Sequence, residues 1–158
     1  MGALSSNRNT DQRPGDKVVL PVADDVLIYL GAIVAVDTSG YARPGRASTT
    51  DVAIGRAVQA YPNGKNGGPG FPGDPADNTV AGHSAGGIAV EVEVGVFSYD
   101  NDGSIDATKI GQLCFVKDDH TVQLSDGGAT LICAGRIFDV DTDGSVWVDF
   151  RDKSAIAS

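Results

Sequence analysis

The stretch from Gly87 to Tyr99 reads Gly-Ile-Ala-Val-Glu-Val-Glu-Val-Gly-Val-Phe-Ser-Tyr, and it decides the fold class. Valines occupy every second position from Val90 to Val96 and alternate with small or acidic residues. Side chains on a strand alternate between its two faces, and β-branched residues favour a pleated backbone. The pattern predicts one long central strand whose valines face a core and whose glutamates face water or a partner.

The composition of the rest of the chain agrees with this class. The apolar residues are mostly Val, Ile and Ala with few aromatics, and 21 glycines and 7 prolines divide them into short runs. Such punctuation is typical of short strands joined by turns. The length of 158 residues suits one domain. We therefore expect an all-β fold, a single β-barrel or β-tulip-like domain.

The order of segments along the chain suggests how this domain is organised. Residues 1–16 are polar and predict an extended N-terminal arm, which is either a frayed terminus or an extension that orders only against another subunit. Residues 17–61 hold the first set of strand patterns. Residues 62–86 form a Gly/Pro-rich loop that is longer than is usual inside a compact domain. Residues 87–150 hold the second set of strands, and we expect the tail, 151–158, to fray.

The two sets of strands resemble one another. Shifting the chain by 80 residues places Leu30-Gly31 on Ile110-Gly111 and Gly55-Arg56 on Gly135-Arg136, with no gap between the matches. A constant offset over such a span indicates an internal repeat. We predict two related halves, each contributing a hairpin and a Gly-Arg strand to one closed or nearly closed barrel.

Charge and hydropathy exclude some classes of partner. Lys and Arg number 12 against 21 Asp and Glu, a net charge of −9, and no segment concentrates the basic residues needed to neutralise phosphates. We expect no direct nucleic-acid binding. The longest apolar run, Val26–Val36, is too short to cross a membrane, and the N-terminus lacks the apolar core of a secretion signal.

Two motifs suggest chemistry at first sight. Gly82-His83-Ser84-Ala85-Gly86 matches the nucleophile elbow of α/β-hydrolases, but a strand follows it where that elbow requires a helix. Asp139–Ser145 resembles the first half of a calcium loop, yet Phe150 stands where a bidentate Glu is required. We interpret the second motif as a hairpin turn, and we expect no enzymatic activity, no cofactor and no metal site.

The histidines and cysteines also have structural interpretations. Neither His83 nor His120 has partners at metal-ligand spacing, so both are interpreted as solvated loop residues. Cys114 and Cys133 lie in apolar strand patterns and are interpreted as buried thiols, with a disulfide left open.

Five residues are candidates for protein contacts. Arg56 and Arg136 occupy equivalent positions of the repeat, and each needs a carboxylate or carbonyl partner at the barrel rim or across a subunit contact, unless it faces solvent on a half-exposed strand. In the arm, Leu4 could pack against a neighbouring subunit, and Arg8 and Arg13 could meet its acidic groups.

Short motifs of turn and strand character follow one another from about Asn7 to Phe150. They are Asn7-Arg8-Asn9-Thr10, Pro21-Val22-Ala23, Ile28–Val34, Gly40–Gly45, Ile54–Ala57, Val94–Phe97, Ile110–Cys114, Asp118–Val122 and Val140–Val148. Together they resemble the capsid decoration, or cement, proteins encoded beside the major capsid gene in tailed bacteriophages and Mu-like prophages.

The resemblance implies a function and a location. It implies a structural virion protein that sits as a homotrimer on the outside of the head, binds the major capsid protein and stabilises its lattice, after a period in the host cytoplasm during assembly. The alternative is a secreted calcium-dependent adhesion or carbohydrate-binding β-domain. Two Asp/Gly turns, Asp100–Gly103 and Asp139–Ser145, suggest this alternative, which requires an export signal.

Overall fold

The all-β prediction is confirmed. The computed structural model describes residues 5–6, 15–24, 26–59, 61–63 and 89–154, with only the backbone described for 61–63. Within these ranges one short 3-10 helix, Ala107–Lys109, begins after the N-cap Asp106. The strands in chain order are β1 Lys17–Pro21, β2 Val26–Ile28, β3 Ile33–Val36, β4 Ala42–Pro44, β5 Val52–Ala57, β6 Tyr61–Asn63, β7 Ala89–Glu93, β8 Val96–Asn101, β9 Leu113–Val116, β10 Thr121–Gln123, β11 Cys133–Val140 and β12 Val146–Asp149.

The strands form two five-stranded units and a small sheet. In the first unit the order is β1-β7-β5-β3-β4, and an isolated parallel bridge from Val22 to Ala42 links its two edges. In the second unit the order β10-β8-β12-β11-β9 closes into a barrel. Strands β2 and β6 form a separate two-stranded sheet. Each five-stranded unit encloses its own cluster of buried aliphatic side chains.

The 80-residue repeat is confirmed in the strand pairing. Ile33 pairs with Arg56 in the first unit as Leu113 pairs with Arg136 in the second. Val34 and Gly55 likewise correspond to Cys114 and Gly135, and both ladders then skip one residue, Ile54 or Ala134, before pairing resumes. Since a bulge is a specific local feature, its recurrence at the same offset shows that the halves share one backbone plan.

The edges of the two units also correspond. Strand β8 closes the barrel by parallel pairing of Asn101 with Val122, and the bridge from Val22 to Ala42 is its counterpart in the first unit. Strands β1 and β8 are therefore equivalent, with an offset of 79 between Val22 and Asn101. The backbone N–H of Ala23 donates to Ala42 as the N–H of Asp102 donates to Val122.

The predicted central strand is corrected to two strands. It breaks at Val94-Gly95, where the Val94 N–H donates to the carbonyl of Asp16 and the Gly95 carbonyl accepts from Phe150. Val90 and Val92 are fully buried in the first unit, whereas the side chains of Val94 and Val96 are only partly buried. The alternating pattern therefore continues across a boundary between two sheets.

The expectation that both halves share one barrel is corrected by the same break. The barrel that closes is formed by residues 96–149 alone, and β7, which was assigned to the second half, pairs with β1 and β5 of the first. The two units nevertheless share part of a core, because Ile33, Ala35 and Ala53 pack into the cluster of the second unit.

Contacts at both ends of the domain reach into the predicted arm and tail. Asp16, the last residue of the predicted arm, accepts a backbone hydrogen bond from Val94 at the start of the sheet. In the predicted tail, Asp152 and Ser154 bind Arg136 of the barrel. Four segments of the predicted arm, loop and tail lie outside the described residues: 1–4 and 7–14 of the arm, 64–86 of the loop, and the last four residues of the tail.

No helix in the described part of the chain is long and apolar enough to cross a membrane.

Candidate functional site

A groove of about 480 Å³ lies at the junction of the two units. One wall comes from the segment after β2, where Tyr29 and Leu30 are 50% and 68% exposed. The other wall comes from β8 and from the turn between β9 and β10; its residues are Ser98, Tyr99, Asp100, Asp119 and His120. The groove thus combines exposed apolar side chains with carboxylates.

Direct contacts hold the two walls together. The phenol of the largely buried Tyr99 donates a 2.8 Å hydrogen bond to the carbonyl of Gly31, and burial raises the pKa of this phenol. The N–H of Ile33 donates a 2.8 Å bond to the carbonyl of Asp119. A β-carbon on Gly45 would lie only 3.0 Å from Val116 of the second unit. These contacts join the two units at and beside the groove.

His120 lies between two carboxylates at the end of the groove. Its Nδ1 is 2.9 Å from Asp119 and 3.1 Å from Asp118. The hydrogen bond to Asp119 and the negative charge of Asp118 raise the pKa of the imidazole, with a smaller contribution from Asp100. The prediction that His120 is solvated is confirmed by its exposed side chain, but the prediction that it lacks partners at ligand spacing is wrong.

These three side chains are the one set in the described residues whose ligand atoms are close enough to hold a metal ion together. Their ligand atoms lie within 4.8 Å of one another. All three are partly or fully exposed, and Nδ1 of His120 lies within hydrogen-bond distance of both carboxylates. The three side chains therefore have partners in one another within a single exposed turn.

The turn predicted at Asp139–Ser145 is confirmed. Asp141 and Ser145 bond through their backbones at 2.9 Å, and Gly144 adopts a positive φ of 92°. The carboxylate of Asp141 accepts from the indole of Trp147, and that of Asp143 accepts from the N–H of Ser145. Both carboxylates thus stabilise the hairpin.

The other Asp/Gly turn, Asp100–Gly103, lies beside the turn at Asp139–Ser145. The amide of Asn101 donates to the carbonyl of Gly144 at 3.1 Å. In the described part of the chain, the residues of these turns supply no set of three acidic ligands that converge on a point.

Arg56 and Arg136 have partners inside the chain, but the partners differ. Arg56 binds Glu93 of the neighbouring strand at 2.7 Å and lies over the ring of Phe97 at 4.4 Å, so it connects the two units while remaining 45% exposed. Arg136 binds Asp152 at 2.8 Å and also donates to the carbonyls of Gly111 and Ser154. Both arginines therefore meet carboxylates of their own chain, Arg56 in the first sheet and Arg136 in the barrel.

Other candidates lie outside the described residues or remain structural. Leu4, Arg8 and Arg13 of the arm fall in the first group, as do His83 and Ser84. Cys114 is buried and Cys133 partly buried, and both are free thiols. Burial raises the pKa of Cys114 to about 12, which keeps it in the unreactive thiol form.

Large apolar side chains are exposed at several points of the surface. The most exposed are Val19, Tyr29, Leu30, Val52, Ile110 and Phe138. Leu30 and Ile110 are equivalent in the repeat, and each precedes a glycine with positive φ, Gly31 or Gly111. The backbone plan therefore presents an aliphatic side chain at the same turn of both units.

Comparison with protein-family models, with curated proteins and with solved structures finds no match to the chain.

The groove is the feature that sequence analysis missed. Its residues come from three separated segments, around Tyr29, Ser98 and Asp119, and no local pattern brings them together. Two signals were present in the sequence. Asp118-Asp119-His120 places three ligand-type side chains in one turn, and Leu30-Gly31 repeats as Ile110-Gly111. Neither signal specifies that the two units meet at this point.

Proposed function

We propose that the protein is a structural virion protein that binds the outside of a phage head and stabilises the lattice of the major capsid protein. The observation that carries the proposal is the groove between the units, where exposed Tyr29 and Leu30 lie beside Asp100 and Asp119. Exposed apolar side chains grouped with polar ones are typical of protein-binding surfaces.

The charge of the chain specifies the chemistry of the partner surface. The net charge is −9, and the carboxylates of Asp100 and Asp119 both line the groove. A partner with apolar and basic side chains would complement this groove. Because a lattice presents the same contact many times, modest affinity at each site is sufficient to stabilise it.

The experiment uses expanded heads, of the phage or prophage that encodes the chain, assembled without the protein. Purified full-length protein is added, and the bound fraction is measured by co-sedimentation. We expect saturable binding that weakens as salt increases, since part of the attraction is between charges. Failure of the wild-type protein to bind at low salt would refute the proposal.

A matched pair of variants tests the groove as the contact. Leu30→Lys places a cation in the apolar wall of the groove. Phe138→Lys is the control, because Phe138 is 61% exposed and does not line the groove. We expect Leu30→Lys to weaken binding at least about tenfold, because it removes buried apolar area, and Phe138→Lys to bind as the wild type does. Equal losses in both variants would contradict the role of the groove.

A further inference from the structure

The contact between the two units is not symmetric. The first unit contributes its Leu30-Gly31 turn and the start of β3, and the second contributes the outer face of β8 and the turn between β9 and β10. Because the units share one backbone plan, each carries a version of both surfaces. The turn surface of the first unit and the strand surface of the second unit meet inside the chain. The strand surface of the first unit and the turn surface of the second unit have no such contact with the described residues.

The first unused surface is on the second unit. Its turn at Ile110-Gly111 and the start of β9 at Leu113 correspond to Leu30-Gly31 and Ile33. Ile110 is 45% exposed. The Ile33 N–H bonds to the carbonyl of Asp119, but no turn of the described chain offers the Leu113 N–H such a carbonyl.

The second unused surface is on the first unit. The offset of 79 between β1 and β8 makes Val19 the equivalent of Ser98, and the hairpin at Ser39 corresponds to the turn at Asp119. Val19 is 66% exposed and points away from the core of its unit, and Ser39 is exposed at the tip of its hairpin.

We propose that a second copy of this chain covers the Ile110 surface with its own Val19 surface, repeating between copies the contact that joins the two units within each copy. Ser98 and Leu30 line one groove within the chain, where Leu30 stays 68% exposed, and their equivalents Val19 and Ile110 would line the matching groove between copies. Val19 is more apolar than Ser98, so it would fill that groove against Ile110, and the apolar area removed from water favours association.

Differences between the units fit a contact between copies. Tyr99 donates to the carbonyl of Gly31, and its equivalent Leu20 has no donor. The carbonyl of Gly111, equivalent to that of Gly31, accepts from Arg136 of its own unit. This carbonyl therefore does not need the hydrogen bond that Leu20 cannot supply.

A contact of this kind is head-to-tail. Each copy uses one surface toward the copy before it and the other toward the copy after it, and repetition closes a ring or extends a filament according to the rotation. The inference does not depend on the proposed function, because the association is measured on the isolated protein without heads.

The test is sedimentation velocity on the full chain over a range of concentrations, with Val19→Lys and Ile110→Lys as variants. We expect the wild type to associate as its concentration rises, and each variant to lower the association constant at least about tenfold. Leu30→Lys is the matched control and should associate as the wild type does, since Leu30 is 68% exposed and belongs to neither the Val19 surface nor the Ile110 surface.

Mixing the two variants decides the geometry. Val19→Lys keeps an intact Ile110 surface, and Ile110→Lys keeps an intact Val19 surface, so an equimolar mixture should form a one-to-one complex that neither variant forms alone. A mixture that stays monomeric would overturn the proposal, as would a wild-type protein that is monomeric up to about 1 mM. If the wild-type protein is monomeric and Ile110→Lys weakens its binding to heads, the Ile110 surface contacts the head and not a second copy. That result would also overturn the proposal.

Discussion

Alanine in place of Gly55 should destabilise the protein strongly. A β-carbon built on Gly55 would lie 1.9 Å from the carbonyl oxygen of Glu93 on the adjacent strand. That is about 1.5 Å short of ordinary van der Waals contact. Because the obstacle is backbone, β7 would have to move away from β5, where Ala57 pairs with the fully buried Val92.

The size of the effect follows from these contacts. Overpacking that shifts the backbone costs about 1–3 kcal/mol, and each ladder hydrogen bond lost adds about 0.5–1.5 kcal/mol. We expect a loss of about 3 kcal/mol from a total of about 5–15 kcal/mol. For a domain of this length that corresponds to a fall in Tm of about 6–12 °C.

Gly135→Ala should behave in the same way, since its β-carbon would lie 2.1 Å from the carbonyl oxygen of Asp149. Ile33 packs into the cluster of the second unit, so we expect each variant to lower one cooperative transition and not to split it.

The assay is thermal unfolding by calorimetry and circular dichroism, with Gly15→Ala as the control. No atom lies within 4 Å of the β-carbon position at Gly15, so this change should leave stability within about 1 kcal/mol of the wild type. If Gly55→Ala and Gly15→Ala unfolded at the same temperature, the close strand approach, and with it the repeated backbone plan, would be refuted.

Three other predictions concern the edges of the domain. Arg136→Ala should lower Tm more than Arg56→Ala, because Arg136 ties the C-terminal segment to the barrel, whereas Arg56 is the more exposed of the two; equal shifts by calorimetry would contradict this. The pKa of His120 is raised above 6.5, so the stabilisation that the His120 imidazole provides should be full below pH 6.5 and lost as the pH rises through the folded pKa. The Tm difference between wild type and His120→Asn should therefore shrink as the pH rises, and a difference that grows with pH would contradict this. Deleting residues 1–14 should leave Tm unchanged, because this stretch is polar and Asp16 makes the first sheet hydrogen bond among the described residues, while attachment to heads weakens. Co-sedimentation at wild-type levels would show that the arm does not contact the head.

Much of the local structure could be predicted from the sequence. Alternation of buried and exposed residues is a property of each strand, so β7 and the short strands around it follow from valine spacing. The repeat was also visible, because Gly55-Arg56 and Gly135-Arg136 must fulfil the same requirement for close strand approach in both units. The turn at Asp141 follows from its Asp-Gly pair.

The tertiary structure decided where one unit ends and the other begins. The alternation from Val90 to Val96 is unbroken in the sequence, yet β7 joins the first unit and β8 the second, because pairing depends on which strand edges are available and not on the pattern itself. The groove lined by Leu30 and Asp100 arises from the same cause. Its walls are distant in the chain and meet only because two similar units pack against each other through unlike surfaces.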